Sequence, residues 1–155
     1  WLFARDDVTL RVLNGPGNSN DGSCVLKLAY RGFTALLAGD VSAVRERQLI
    51  RYWRDQLRAD VLVVGHHGSK TSTGLGFLKW VKPSWALISA GWHNRFGHPA
   101  PVVLERLEKA GIRMLNSANA GSIRVTASEQ GIAVRPLRGP WVPFWLQIPP
   151  LGRQG

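Results

Sequence analysis

Residues 61–72 constrain the fold of this chain more than any other stretch: Val-Leu-Val-Val-Gly-His-His-Gly-Ser-Lys-Thr-Ser. The apolar run at 61–64 is short, which is typical of a buried strand in an α/β sheet. It ends abruptly in His66 and His67, followed by small polar residues. A strand that stops in this way delivers two imidazoles to a fixed place at the edge of a sheet. We therefore expect the functional site there.

Elsewhere the sequence alternates between strand and helix patterns. Apolar and period-two runs predict strands over residues 8–13, 24–30, 33–37, 61–64, 85–89, 112–115, 122–126 and 132–135. Helical spacing, with proline or glycine at the ends, predicts helices over residues 43–58, 73–81 and 101–110. In a chain of 155 residues this alternation predicts one α/β domain over residues 1–135. Residues 136–155 are rich in proline and tryptophan, lack either period, and are predicted to form a separate tail.

The predicted helix over residues 43–58 has two different sides. Its apolar side carries Leu49, Ile50, Trp53 and Leu57. The opposite side carries a stripe of arginines: Arg47, Arg51, Arg54 and Arg58. A solvated outer surface is the default interpretation of such a stripe, and contact with phosphates is the alternative. Glu46 lies nearer the apolar side, which predicts a buried partner for its carboxylate.

Composition limits the function classes. Lysine and arginine outnumber the acids by 20 to 10, giving a net charge of +10. This charge attracts polyanions, although a soluble basic surface explains it equally well. Cys24 is the single cysteine, so the chain has no internal disulfide and no cysteine zinc site. No apolar run is long enough to cross a bilayer, and no signal-peptide pattern is present.

Three predicted strand ends carry polar groups: Asp40, the pair His66 and His67, and a loop with Asn94 and His98. Because strand ends on one edge of a sheet converge, we expect these side chains to lie together. Carboxylate and imidazole ligands suit zinc or manganese. Two such ions activate a water molecule and stabilise the leaving oxygen of a phosphodiester.

Each of these residues also has a structural interpretation. Asp40 is a good helix cap, His66 is a plausible hydrogen-bonded structural histidine, and Asn94 with His98 can order their own loop. Three hydroxyl groups after the histidines either form a turn or donate to a phosphate: Ser69, Thr71 and Ser72. No Gly-x-Ser-x-Gly pattern is present, which argues against a serine nucleophile of that kind.

Four segments occur in an order that resembles a known family. They are Asn20-Asp21-Gly22-Ser23-Cys24-Val25-Leu26, Leu36-Leu37-Ala38-Gly39-Asp40, Val64-Gly65-His66-His67-Gly68-Ser69-Lys70-Thr71-Ser72 and Asn94-Arg95-Phe96-Gly97-His98-Pro99. The set resembles the C-terminal metallo-β-lactamase-like domain of the ComEC family, the inner-membrane channels of bacterial DNA uptake. The resemblance runs from about Trp1 to Val134.

The resemblance implies an αββα sandwich with a metal site at one edge of its two sheets. It implies a metal-dependent nuclease that acts on DNA, on the periplasmic or extracellular side of the inner membrane, beside the rest of the channel. By this analogy Asp40 bridges manganese or zinc ions, two in the complete domain, and His66 is a further metal ligand. His67 and His98 are assigned to catalysis. Substrate contacts are assigned to Ser69, Thr71, Ser72 and Asn94.

The sequence departs from the family in one respect. The first metal motif of the superfamily, His-x-His/Asp-x-Asp-His, has no counterpart here. We therefore expect only the C-terminal half of the sandwich, one sheet with flanking helices, which binds catalytic metal weakly or not at all and is inactive by itself. Such a half is expected to expose an apolar sheet face or to cover it by self-association. The alternative function is a non-catalytic DNA-binding or channel-docking module whose metal site has decayed.

Overall fold

The computed structural model of the chain describes residues 2–5, 7–13, 22–128 and 130–137. The strands within these ranges are β1 (Leu2–Arg5), β2 (Val8–Val12), β3 (Leu26–Tyr30), β4 (Phe33–Leu37), β5 (Val61–Val63), β6 (Trp85–Ile88), β7 (Arg113–Asn116), β8 (Ile123–Ser128) and β9 (Gly131–Pro136). The α-helices are α1 (Ala43–Trp53), α2 (Leu75–Val81), α3 (Pro101–Lys109) and α4 (Ser117–Ala120). The predicted tail lies outside the described residues from residue 138 onward.

Seven strands form one mixed sheet in the order β1-β2-β3-β4-β5-β6-β7. Strands β1 to β4 pair antiparallel, whereas β4 to β7 pair parallel. Each parallel pair is joined through a helix, α1, α2 or α3, because parallel neighbours require a crossover connection. The predicted α/β class is therefore confirmed, and the predicted strands over 24–30 and 33–37 pair as the hairpin of β3 and β4.

The two faces of this sheet are covered differently. On one face Leu36, Leu62 and Ala86 lie side by side in register and are fully buried. They pack in a cluster with helix residues such as Leu49 and Leu107. On the other face Val61 is buried, but most of the residues next to them in sequence, including Leu37 and Val63, are only partly buried. The main core thus lies between the sheet and its helices.

Strands β8 and β9 form a second, two-stranded sheet. Val125 and Ala127 of β8 line a cleft of about 510 Å³ together with Leu37, Val61 and Leu87 of the main sheet. The hairpin therefore lies against the face that has no helices. This arrangement differs from the predicted single sheet, because the period-two pattern identifies strands but not the sheet that each one joins.

Local signals in the sequence explain the helix ends. Ser42 is the N-cap of α1, so Asp40 is not the cap of this helix. The predicted helix over 43–58 is α1 followed by a 3₁₀ turn over Arg54–Leu57. Helix α3 begins with Pro101 in its first turn, as the sequence predicts. Within the described residues, no helix combines the length and apolar character needed to cross a bilayer.

Candidate functional site at the carboxyl ends of the parallel strands

The parallel strands β4, β5 and β6 bring the predicted strand-end residues to one edge of the sheet. Asp40 follows β4, and His66 and His67 follow β5. The Nε2 atom of His67 lies 3.8 Å from Oδ1 of Asp40. This separation is too long for a hydrogen bond. It does allow two donors at about 2.1 Å each to share one ion.

The His67 imidazole is oriented by the neighbouring strand. Its Nδ1 atom lies 2.7 Å from the carbonyl oxygen of Ser89, just after β6. Since a carbonyl oxygen only accepts, Nδ1 donates this hydrogen bond, and Nε2 is the ring nitrogen that lies near Asp40. A ring held in this way by a backbone carbonyl is the common arrangement of a metal-binding histidine.

The backbone at the two histidines is strained. His66 has φ 50° and ψ 42°, and His67 has φ 54° and ψ 20°. Residues with a side chain rarely adopt positive φ, and two in succession cost several kcal/mol, roughly 1–3 kcal/mol for each. Surrounding contacts must therefore hold this corner in place, and strain of this kind concentrates at functional sites.

The buried side of this corner supplies those contacts. Gly68 has φ +82°, and a Cβ placed on it would lie 2.7 Å from Cβ of Pro99. Its carbonyl oxygen accepts a hydrogen bond from the Ala100 N–H at 2.8 Å. The Ser72 hydroxyl, fully buried, donates to the carbonyl oxygens of Gly65 at 2.8 Å and Ser69 at 3.1 Å. The corner is thus fixed to the loop that follows β6 and to its own second half.

Glu46 of α1 secures the far end of the same segment. Its carboxylate is 2% exposed and accepts hydrogen bonds from the backbone N–H groups of Thr73 and Gly74, the latter at 2.9 Å. Arg106 donates to the Ser72 carbonyl at 3.1 Å. Burial raises the pKa of Glu46, while these N–H donors and nearby arginines oppose the rise. The buried partner predicted for Glu46 is therefore the backbone of this segment.

His98 forms the opposite wall of the site. Its ring lies 6.1 Å from that of His66, and Phe96 stacks on it at 5.8 Å between centroids. Burial lowers the pKa of His98, and His66 and His67 lower it further. His98 is thus held toward its neutral form. Together with His67 and Ser89 it lines a cleft of about 450 Å³.

The side chains predicted to contact substrate form hydrogen bonds within their own loops. Asn94 donates to the His98 carbonyl at 2.6 Å and accepts from the His98 N–H at 2.8 Å, which orders its own loop. Ser69 and Thr71 bond each other through their hydroxyl groups at 3.0 Å. Of the three hydroxyl residues, Thr71 is exposed, whereas Ser69 and Ser72 are buried. These bonds favour the loop-ordering interpretation for Asn94 and Ser72.

The site meets only part of the requirement for a metal centre. Asp40 and His67 provide two donors, and a catalytic zinc keeps three protein ligands. Among the described residues, no group of three or more His, Cys, Asp or Glu side chains is arranged to hold an ion. These residues therefore do not form a complete metal site, although the pair is a suitable part of one.

Sequence reasoning missed two groups that shape this site. The carbonyl oxygen that orients His67 belongs to Ser89, 22 residues away, and a backbone acceptor has no sequence signature. Arg106 lies on α3, 34 residues from the carbonyl that it contacts. Its position in the helix pattern marks a partly buried cation but not its partner.

Comparison with known proteins identifies relatives, although no family model matches the chain. Over 109 residues, 70% of the chain, it is 39% identical to ComE operon protein 3 of Bacillus subtilis, covering 14% of that protein. It is 34% identical to Competence protein ComA of Neisseria gonorrhoeae over 78% of the chain and 18% of the relative. It is 33% identical to Recombination protein 2 of Haemophilus influenzae over 87% of the chain and 17% of the relative.

The chain therefore spans less than a fifth of the length of these relatives. The alignments nevertheless cover most of the chain itself, at identities well above those of unrelated sequences. With these matches, the chain belongs to the ComEC family of competence proteins.

Proposed function

We propose that this chain contributes the carboxylate and imidazole side of a metal-dependent phosphodiesterase that cleaves DNA during natural transformation. The observation that carries the proposal is the pairing of Asp40 with His67 beside the cleft, with Nε2 and Oδ1 3.8 Å apart. The relatives named for competence support the process, and the net charge of +10 suits a polyanionic substrate. Manganese or zinc is the proposed cofactor, as one or two ions.

Each residue of the site has a proposed task. Asp40 and His67 bind metal, and His66 remains the alternative imidazole ligand from the next position. His98 takes a proton from a water molecule in the cleft, since its lowered pKa keeps the imidazole neutral. The bound metal would supply charge neutralisation at the phosphate.

We propose that the remaining metal ligands come from another part of the full-length protein that contains this chain, here called the parent protein. Ser89 lies on the sheet face without helices. It lines the cleft at the site and also a second cleft beside Val63 and Leu87. A complementary half packed on that face would reach the site directly. We place the assembled domain on the periplasmic or extracellular side of a bacterial inner-membrane channel, with DNA as its substrate.

A nuclease assay on the parent protein, with manganese and with zinc, tests the proposal. We expect metal-dependent cleavage that falls at least about a hundredfold in Asp40→Asn, and similarly in whichever of His66→Ala and His67→Ala removes the ligand. Ser89→Ala is the matched control, because it keeps the backbone carbonyl that orients His67. Full activity in Asp40→Asn, or cleavage that persists in EDTA, would contradict the proposal.

A second candidate function is a non-catalytic DNA-binding or channel-docking module with a decayed metal site. It is favoured by the lack of a third metal donor among the described residues. This candidate predicts DNA binding in EDTA and no cleavage with any metal, even in the parent protein. Cleavage by the parent protein that requires Asp40 excludes it.

A further inference from the structure

The outer surface of α1 and of the 3₁₀ turn after it carries groups that neither the core nor the site uses. Four arginines on the helix, in the turn and just after it are exposed, together with Tyr52, which is 75% exposed: Arg47, Arg51, Arg54 and Arg58. Val44 on the same helix is 52% exposed. A solvated outer face explains isolated arginines, but it gives no reason for an exposed aromatic ring on the same helix.

Few carboxylates balance the charge of this surface, although Arg47 interacts electrostatically with Glu46. Of the two carboxylates in residues 43–58, Glu46 faces inward and only Asp55 is exposed. In the part of the chain that the structure describes, the four arginine side chains form no hydrogen bond and no ion pair with a carboxylate within 4 Å. By contrast, Arg31 pairs with Asp7 and Lys109 pairs with Glu105.

The position of α1 connects this surface to the candidate site. The helix starts three residues after Asp40, and the Ala43 N–H donates to the Thr71 carbonyl at 2.7 Å. The helix therefore starts at the rim of the site and leads away from it. Arg47 and Arg51 lie about one turn apart on this helix, about 6 Å along its axis. At its far end, Arg11 and Lys27 both donate to Gln56, which brings two more cations beside the 3₁₀ turn.

We propose that this outer surface, Arg47, Arg51, Tyr52, Arg54 and Arg58, is a track that binds single-stranded DNA and leads it to the site. Arginines along a line bind successive phosphates, and an exposed tyrosine ring stacks on an unpaired base. A duplex offers the phosphates but no free base face, so Tyr52 favours the single strand. The inference rests on the proposed function in taking DNA as the ligand, but it does not depend on the cleavage chemistry.

Binding of labelled oligodeoxythymidine to the 155-residue chain, measured by fluorescence anisotropy in EDTA at several salt concentrations, tests the track. Since each lost phosphate contact lowers the slope of log K against log salt by about 0.7, Arg47→Gln with Arg51→Gln is expected to lower it by about 1.4. Lys79→Gln on α2 with Lys82→Gln just after it is the matched control, with the same loss of charge at exposed positions. Equal losses in the two double variants would overturn the proposal.

Tyr52 provides an independent measurement. Tyr52→Ala is expected to weaken binding of the single strand by about fivefold or more, whereas Tyr52→Phe keeps the ring and the affinity. A duplex of the same length should bind both variants alike. An equal loss for duplex and single strand, or no loss at all, contradicts the stacking role.

Two further arms separate this proposal from its alternatives. Asp40→Asn should leave binding in EDTA unchanged, so failure of cleavage and failure of the track are distinguishable. Loss of binding to phosphatidylglycerol vesicles in the arginine variants, with DNA binding unchanged, would assign the surface to a membrane and overturn the proposal. Circular dichroism of each variant checks that the substitution leaves the fold intact.

Discussion

The two faces of the main sheet serve different purposes. The face that carries Leu36 and Leu62 is closed by helices, and both side chains are fully buried. The opposite face, with Leu37 and Val63, is only partly covered and lies against the small β8–β9 sheet across open clefts. The same strands thus form a closed hydrophobic core on one side and a partly covered face on the other.

The candidate site lies where these two faces meet. Its supports, Glu46, Ser72 and Arg106, are on or packed against the helix-covered side, and each bonds backbone of the segment after β5. The imidazole beside Asp40, that of His67, is held by the Ser89 carbonyl and lines the site cleft. The helix-covered face therefore holds the site residues in position, whereas the open face leaves the site accessible.

The largest predicted effect comes from a matched pair of neighbours in β4. Leu36→Ala should cost about 3 kcal/mol of unfolding free energy because it leaves a cavity in the closed core. Leu37→Ala removes the same atoms from the open face and should cost about 1 kcal/mol. Urea denaturation measures both. Equal costs would show that the open face is covered in solution, and a dependence of the Leu37→Ala cost on protein concentration would assign the cover to self-association.

An intermediate effect is expected at the rim. Gly68→Ala combines positive φ with a collision against Pro99, so we expect it to lose about 2–3 kcal/mol. Gly97→Ala also has positive φ, but a Cβ there meets nothing within 4 Å, and about 1 kcal/mol is expected. Thermal unfolding of the two variants compares the anchored side of the rim with its solvent side. A Gly68→Ala variant as stable as Gly97→Ala would remove the anchoring role.

The smallest effect concerns Glu46 and pH. Its pKa is raised by burial, so the folded protein binds the proton more tightly than the unfolded chain, whose pKa is near 4.5. Wild-type stability is therefore expected to fall as pH rises from about 4.5 through the folded-state pKa. Glu46→Gln removes this dependence, at the cost of one acceptor for the Thr73 or Gly74 N–H.

Denaturation curves for both proteins between pH 4 and pH 8 isolate the contribution of Glu46 as the difference between them. A difference that stays constant over this range would mean that the carboxylate does not titrate in the folded protein there. The closed face would then hold the rim without any pH dependence.

Much of this organisation is predictable from the sequence because its determinants are local. Apolar runs that end at Asp40 and at His66 specify strands whose carboxyl ends carry polar groups, and parallel pairing then makes those ends converge. Helical spacing also places Glu46 on the buried side of α1. Side-chain period and strand direction suffice for each of these predictions.

The tertiary structure alone decided the rest, because the deciding contacts join residues far apart in the chain. It placed His67 as the imidazole beside Asp40, through a carbonyl just after β6, and gave both histidines a backbone conformation that no local signal predicts. It also placed β8 and β9 in a sheet of their own. Local pattern determines which residues form a strand, whereas packing across the whole domain determines which atoms meet at its end.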